Sequence, residues 1–224
     1  MAKPGTSSRL VTEGAGRSAA TKQVLVEAAI ETLKAEGFAG ASARAIAGRA
    51  GCNQALVFYH FGSVVGLLLA ALDAVSASRL EHYSASVEDV RSPAELVEVA
   101  AAIFREDLDA GHVTVLVEMI AGASSTPGLG AEVAARISPW KQFAKQVIDS
   151  VLGDSALGTV IPSGELAHGV VALYLGLDLL THLGEDRAPA LALFDHAKQL
   201  AALVEVLGIG RLPATTAPAP KEAS

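Results

Sequence analysis

The sequence has few of the residues on which covalent cross-links and metal clusters depend. Among its 224 residues there are one cysteine, one tryptophan and only 4% aromatic residues. The single cysteine, Cys52, excludes an intramolecular disulfide and any cysteine-based metal cluster. A chain of this length can bury a sizeable core without disulfides, and its cysteine usage fits a reducing compartment. We therefore expect a cytoplasmic globular protein that needs no cofactor.

Long uninterrupted hydrophobic runs are also missing. The first 20 residues contain no apolar stretch of signal-peptide length. The most hydrophobic segment, GVVALYLGLDLLTHLG, is interrupted by Asp178 and His182 and is short for a membrane span. We expect no association with a membrane.

No catalytic motif is complete. Gly122-Ala123-Ser124 superficially suggests a nucleophilic serine, but the G-x-S-x-G pattern is unfinished and no strand is predicted before it. A serine without that strand would lack the sharp turn that exposes its hydroxyl. We expect no enzymatic activity.

The charges are unevenly distributed along the chain. Residues 1–62 carry seven Lys/Arg and four Asp/Glu, whereas the remaining residues carry ten and twenty, for a total of −7. A weakly basic N-terminal third on an acidic body is expected if only that third approaches a polyanion, because binding phosphates needs local positive charge. The alternative interpretation is that the uneven charge distribution is a chance scatter of a few charged residues.

Alanine and leucine dominate, without repeats or alternating β-branched runs, which predicts an all-helical fold. Residues 1–18 and 211–224 are rich in Gly, Ser, Thr or Pro and are predicted to be disordered. The first helix is predicted to begin at the N-cap Thr21 and to end at Gly37.

Two short helices follow. Ser42 is placed to cap ARAIAGRA, which must end at Gly51, and Asn53 is placed to cap QALVFYHF. Two short helices joined by a three-residue turn with glycine form a helix-turn-helix. A long helix is then predicted to start at Ser63.

Further helical regions are predicted in the rest of the chain. One begins with Pro93 behind Ser92 and closes at Gly111, and HVTVLVEMIAG follows it. Pro139 should kink or break the next helix. The last two helices, near 163–184 and 189–207, are apolar around most of their circumference, so we expect a second subunit to cover them in a homodimer.

The second short helix has the side chains that read DNA bases. Gln54 can pair in bidentate fashion with adenine, and Ala55 and Leu56 can approach base edges or a thymine methyl. Tyr59 and His60 suit contacts with phosphates. Further contacts with DNA are expected from residues before, between and after the two short helices: Arg17, Lys22, Ser42, Arg44, Asn53 and Ser63.

The pattern SARAIAGRAGCNQALVFYHFGSVVGLLLAAL resembles the DNA-binding domain of the TetR family of transcriptional regulators over residues of about 21 to 72. The matching positions are Ser42, Ile46, Ala47, Ala50, Gly51, Phe58-Tyr59-His60-Phe61, Ser63, Leu67 and Leu68. The resemblance implies a DNA-binding domain at 19–64. It also implies a helical domain at 65–210 that dimerises through its last two helices and holds an effector pocket.

Two positions depart from that family pattern. Phe58 stands where the family usually has a tyrosine whose hydroxyl contacts a phosphate, and Val64 stands where it usually has a lysine. Either the phosphate contact is lost or Tyr59 replaces it. We expect some loss of nonspecific affinity for DNA, which the basic N-terminal arm can offset. Phe58 and Phe61 are predicted to pack the short helix against its neighbours. Cys52 is predicted to be a buried packing residue and not a redox sensor.

A pocket in the body should be mostly apolar with a few orienting polar groups. Asp178 and His182 share one face of a helix and could pair, bind a polar effector or hydrogen-bond across a dimer, but no third metal ligand is evident, so we expect no metal. Trp140 and Phe143 are as well suited to the hydrophobic core as to the pocket. The candidates for the pocket are Phe104, Met119, Trp140, Phe143, Tyr174, Asp178 and His182.

These observations together predict a ligand-responsive transcription regulator, in particular a repressor that binds a palindromic operator in double-stranded DNA as a dimer. A small-molecule effector would release it. The alternative is a helical small-molecule-binding protein without sequence-specific DNA binding.

Overall fold

The computed structural model describes residues 6–152, 161–184 and 186–206, and the side chains of these residues except 6–15 and 204. All regular elements in this part of the chain are α-helices, which confirms the predicted fold class. The helices are α1 Thr6–Gly40, α2 Ala43–Arg49, α3 Ala55–Phe61, α4 Val64–Val87, α5 Pro93–Ala110, α6 His112–Ala123, α7 Leu129–Leu152, α8 Ser163–Gly184 and α9 Ala188–Val206.

Helix α1 starts far before the predicted cap. Thr21 lies inside it, where its Oγ1 donates to the carbonyl oxygen of Arg17 at 2.9 Å. Threonine often makes this bond to the preceding turn within a helix, so its hydroxyl is not free to cap. Residues 6–18 are therefore helical where the sequence predicts a disordered arm; the first five residues and the predicted disordered tail at 211–224 lie outside the described residues.

The regular part of α1 ends at Gly37, where the sequence predicts the end of the helix. Gly37 has φ 69° and ψ −178°, so the regular helix is interrupted there. A residue with a β-carbon rarely adopts a positive φ, and glycine does so without strain. The chain turns at this point toward α2.

Local signals also set the ends of α5. Pro93 is its first residue, and Ser92 Oγ accepts a hydrogen bond from the backbone N–H of Glu95 at 3.2 Å. The helix ends at Ala110 before Gly111, whose φ is 63°. Both ends agree with the sequence-based prediction.

Pro139 does not break α7, which runs from Leu129 to Leu152 with the proline inside it. A proline within a helix removes one backbone hydrogen bond, and the turns on both sides keep theirs. The predicted break is therefore wrong, and the predicted alternative, a kink at Pro139, stays a prediction.

The chain packs as two compact units. Of the described residues, the first unit contains 6–85 and 105–139, and the second contains 86–104, 140–152, 161–184 and 186–206. In the first unit, α1 packs against α2 and α6. The predicted domain boundary after residue 64 stays a prediction, because packing does not show which part folds by itself.

The core of the first unit contains side chains from α1, α2, α3, α4, α6 and α7. These side chains are almost entirely shielded from solvent, and most are aliphatic. Burial of this kind stabilises by about 1.5–3 kcal/mol for each large side chain. The largest of them are Leu25, Leu33, Ile46, Val57, Leu67, Leu68, Val115, Met119 and Leu129.

Helix α8 has the length and composition of a membrane-spanning helix, and it alone does so as a single helix among the described residues. It has 22 residues, and 17% of its most apolar window is buried within the chain. The helix is thus longer than the apolar segment GVVALYLGLDLLTHLG, and the absence of a membrane association stays a prediction. The apolar surface of α8 is exposed to solvent within the single chain.

Candidate nucleic-acid interface and effector site

Helix α2 is held by a side-chain cap and an apolar face. Ser42 Oγ accepts a hydrogen bond from the backbone N–H of Ala45 at 3.1 Å, as a serine N-cap does. Ile46 and Ala47 are buried against the rest of the first unit. The helix therefore has one defined orientation from which the following turn starts.

The turn between α2 and α3 depends on Gly51 and Asn53. Gly51 has φ 63°, and Asn53 Oδ1 accepts from the backbone N–H of Ala55 at 2.9 Å. Because Asn53 closes this turn, α3 begins at Ala55, one residue later than predicted. Gln54 occupies the N-cap position without a side-chain cap bond, and its amide is exposed.

Four side chains form the outer surface of α3, and we call them the reading face: Gln54, Ala55, Phe58 and Tyr59. All four are exposed, with Tyr59 at 80% and Phe58 at 51%. Gln54 and Phe58 are four residues apart, as are Ala55 and Tyr59, and Ala55 and Phe58 are three apart. These spacings place side chains on one face of a helix. Val57, on the opposite side, is completely buried.

Two sequence-based assignments on α3 differ from the structure. Phe58 faces outward and does not fasten the helix, whereas Leu56 is half-buried against the core and is not at the outer surface. Phe61 does pack against the core as expected. Four consecutive aromatic residues surround a helix completely, so the sequence cannot show which of them points inward.

His60 is half-buried, with its ring edge-on to that of Tyr59 at a centroid distance of 4.8 Å. It lies beside the reading face and supports the ring of Tyr59. Cys52 is also half-buried and packs against the core.

The junction between α3 and α4 is close-packed. Ser63 Oγ accepts from the backbone N–H of Gly66 at 2.9 Å. A β-carbon on Gly66 would lie 2.4 Å from the carbonyl oxygen of Phe61, so no other residue fits without a shift. Val64, which replaces the expected lysine, is half-buried against the core. The departure from the family pattern thus exchanges a cation for apolar packing.

The other expected phosphate ligands are at the surface. Arg17, Lys22 and Arg44 are all exposed. Arg49 is also exposed, but its Nη2 lies 3.0 Å from Glu36 Oε1 in an ion pair between α2 and α1. The first three cations therefore have the exposure that contact with a phosphate requires.

In the second unit, three aromatic rings form one group, the aromatic cluster of Phe104, Tyr174 and Phe194. The ring centroid of Phe104 lies 5.4 Å from that of Tyr174 and 5.2 Å from that of Phe194. Phe104 is completely buried. The structure brings together two of the expected pocket residues and adds Phe194, which the sequence shows only as one more apolar residue of an apolar helix.

The other candidates for the pocket have different environments. Met119 lies in the core of the first unit. In the second unit, Trp140 and Phe143 are half-buried, Asp178 is 5% exposed and His182 is exposed. The sequence placed Asp178 and His182 on one face, but the fold buries only the first of them.

Residues 25–71 match the model of the family described as bacterial regulatory proteins, tetR family. This segment contains the second half of α1 and all of α2 and α3. No curated protein sequence matches the chain significantly. The N-terminal helix-turn-helix is therefore similar to the N-terminal domain of TetR-family regulators.

Solved structures share the fold over most of the chain. A TetR-family transcriptional regulator from Cytophaga hutchinsonii is 19% identical, with a TM-score of 0.68 over 83% of this chain and 95% of its own. The fatty acid degradation regulator FadR from Bacillus halodurans is 10% identical, with a TM-score of 0.67 over 80% and 96%. The multidrug binding protein EbrR, complexed with imidazole, is 19% identical, with a TM-score of 0.59 over 88% and 98%.

Proposed function

We propose that this chain, a transcriptional regulator of the TetR type by its N-terminal domain and its fold, is a dimeric repressor that a small molecule releases from a palindromic operator. The observation that carries this proposal is the reading face, which α3 presents while its opposite side is buried. A short helix held in this way can enter the major groove with its outer side chains against the base edges.

The reading face offers both base and backbone contacts. The amide of Gln54, at the first position of the face, has the donor and acceptor that pair with adenine. Ala55 and the ring of Phe58 supply apolar surface for a thymine methyl. The exposed hydroxyl of Tyr59 can donate to a phosphate, a contact that sets the register.

Exposed leucines on the last two helices support a dimer. On α8, Leu180 is 67% exposed and Leu183 is 72% exposed, and on α9, Leu200 is 64% exposed and Leu203 is 53% exposed. Apolar surface of this extent on neighbouring turns marks an interface. A second copy of the chain would cover it, and two-fold symmetry would then impose a palindrome on the operator.

Dimerisation also accounts for the exposed apolar surface of α8 better than insertion into a membrane does. Asp178 lies within this helix and is buried within the chain, and a charged residue at the middle of a membrane costs about 2.5–3.5 kcal/mol. We therefore place the protein in the cytoplasm, where a DNA-binding regulator meets its operator.

The aromatic cluster supports a largely apolar effector. Phe104, Tyr174 and Phe194 supply ring surface, and the buried Asp178 lies one turn beyond Tyr174 on α8. One structural neighbour is a multidrug binding protein in complex with imidazole, so a small-molecule site has a precedent in this fold. Release follows if the effector binds the form that does not bind the operator more tightly than the form that does.

The test is selection of bound fragments from random duplex DNA by the purified protein at several salt concentrations. A repressor of this type should enrich two half-sites about one helical turn apart, with affinity that falls as salt rises. Retention of all sequences equally at every ionic strength would contradict the proposal. It would favour a helical small-molecule-binding protein without sequence-specific DNA binding.

A further inference from the structure

A carboxylate on α6 binds the backbone at the point where α1 turns toward α2. The backbone N–H of Phe38 donates to Glu118 Oε2 at 2.8 Å. Phe38 directly follows Gly37, the residue at which α1 loses helical geometry. A hydrogen bond from a backbone amide to a carboxylate is charge-assisted and stronger than a bond between neutral groups.

Two glycines allow α6 to approach this turn closely. A β-carbon on Gly37 would lie 2.9 Å from Glu118 Oε2. A β-carbon on Gly122, one turn after Glu118, would lie 2.4 Å from Cγ of Phe38. The same face of α6 therefore holds both the amide and the ring of Phe38.

The turn that α6 holds leads directly into the helix-turn-helix. The backbone N–H of Ala41 donates to the carbonyl oxygen of Phe38 at 3.2 Å, and that of Ser42 donates to Gly40 at 2.8 Å. Ser42 is the N-cap of α2. A displacement of Phe38 thus reaches the start of α2 through a short, hydrogen-bonded segment.

We propose that Glu118 is a positioning residue for DNA binding, because its carboxylate holds the Phe38 turn and so sets the orientation of α2 and α3. This inference rests on the proposed function. The observations that carry it are the hydrogen bond from Phe38 N–H to Glu118 Oε2 at 2.8 Å and the close approach of Gly122 to the ring of Phe38.

The first experiment measures hydrogen exchange in the purified full-length protein. Glu118→Ala should speed exchange of the amides at 38–42 by about tenfold or more relative to the wild type, because the carboxylate acceptor is lost. Glu118→Gln keeps an oxygen acceptor and should restore most of the protection. Glu31→Ala is the matched control, because it removes an exposed carboxylate of α1 whose partner, Lys34, lies 3.6 Å away.

The second experiment repeats the selection from random duplex DNA with the same variants. Glu118→Ala should broaden the spacing between the two half-sites while the bases within each half-site stay the same. A loss of stability alone lowers the amount of active protein and leaves the preferred spacing unchanged. Glu118→Gln and Glu31→Ala should select the wild-type spacing.

The outcomes separate this inference from the proposed function. If the wild type selects half-sites and Glu118→Ala selects the same spacing with the same exchange rates as Glu31→Ala, Glu118 has no positioning role and the proposed function stands. If the wild type selects no sequence, the proposed function fails, and the inference fails with it.

Discussion

Arg79 of α4 and Asp107 of α5 form a buried ion pair in the first unit, with Nη2 of the guanidinium 2.5 Å from Oδ1 of the carboxylate. The Asp107 side chain is completely shielded, and that of Arg79 is 12% exposed. Tyr83, one turn after Arg79, donates its hydroxyl hydrogen to Oδ2 of the same carboxylate. His112 Nδ1, at the start of α6, lies 3.4 Å from Oδ1. The carboxylate of Asp107 therefore connects α4, the helix that follows α3, with α5 and α6.

Asp107→Asn should destabilise the protein by about 3 kcal/mol, because, among the described residues, the largely buried charge of Arg79 keeps only the more distant carboxylate of Glu106, whose Oε2 lies 3.9 Å from Nη2. Chemical denaturation of the two proteins measures this difference. Asp73→Asn is the control, because Asp73 is 53% exposed and pairs with Arg136 at 2.7 Å near the surface. An exposed pair of this kind contributes about 0.2–1 kcal/mol. Equal losses in both variants would contradict the role of burial.

His112 should make stability depend on pH. Burial lowers the pKa of His112 below its ordinary value of 6.5, Arg79 and Lys34 lower the pKa further, and Asp107 opposes them. Between the folded pKa and 6.5 the unfolded chain binds more protons, so stability is complete above about pH 6.5 and decreases as the pH falls through this interval. The unfolding temperature of His112→Gln should decrease less than that of the wild type between pH 7.5 and 5.5. His168→Gln, on exposed α8, should follow the wild type; an unchanged slope in His112→Gln would refute the prediction.

Gly122→Ala should destabilise the protein by about 1–3 kcal/mol, since the new methyl group would overlap the ring of Phe38. Gly130→Ala, in α7, is the matched control. Its β-carbon would meet nothing closer than Ala123 Cβ at 3.9 Å, and alanine is the better helix former. Denaturant midpoints of the two variants should therefore move in opposite directions. A midpoint for Gly122→Ala at or above that of the wild type would show that the ring moves aside without cost.

Gln54→Ala should relax the base preference at one position of each half-site by about 1–3 kcal/mol, because the amide no longer pairs with its base. Gln23→Ala is the control, since Gln23 is an exposed amide of α1 that donates to Glu27 at 2.8 Å. Competition binding with operators changed at single positions measures the preference. An equal loss of affinity on every sequence would mean that Gln54 contacts only the backbone.

Leu180→Glu should shift the dimer to monomer, because it places a carboxylate within the exposed leucines of α8 and α9. Gln142→Glu adds a carboxylate to an exposed position of α7, outside the two helices of the proposed interface, and should leave the association unchanged. Sedimentation equilibrium over a range of protein concentrations measures the association. A dimer as tight in Leu180→Glu as in the wild type would place the interface elsewhere.

The helix-turn-helix can be predicted from the sequence because the interactions that define it are local. The bond from Ala45 N–H to Ser42, the bond from Ala55 N–H to Asn53 and the positive φ of Gly51 each involve residues at most three positions apart. The same holds for the start of α5 at Pro93. Such interactions depend on residue type and spacing, which the sequence contains in full.

The orientation of side chains and the long-range contacts depend on the tertiary structure. Phe58 and Phe61 are chemically identical, and only the packing of α3 decides that the first faces outward and the second inward. Phe38 and Glu118 are 80 positions apart, so no local pattern predicts their hydrogen bond. The pairing of Arg79 with Asp107 likewise requires two helices to pack together. Residue types and local spacing thus define the helix-turn-helix, whereas packing of distant segments decides which of its side chains are exposed and which contacts hold them in place.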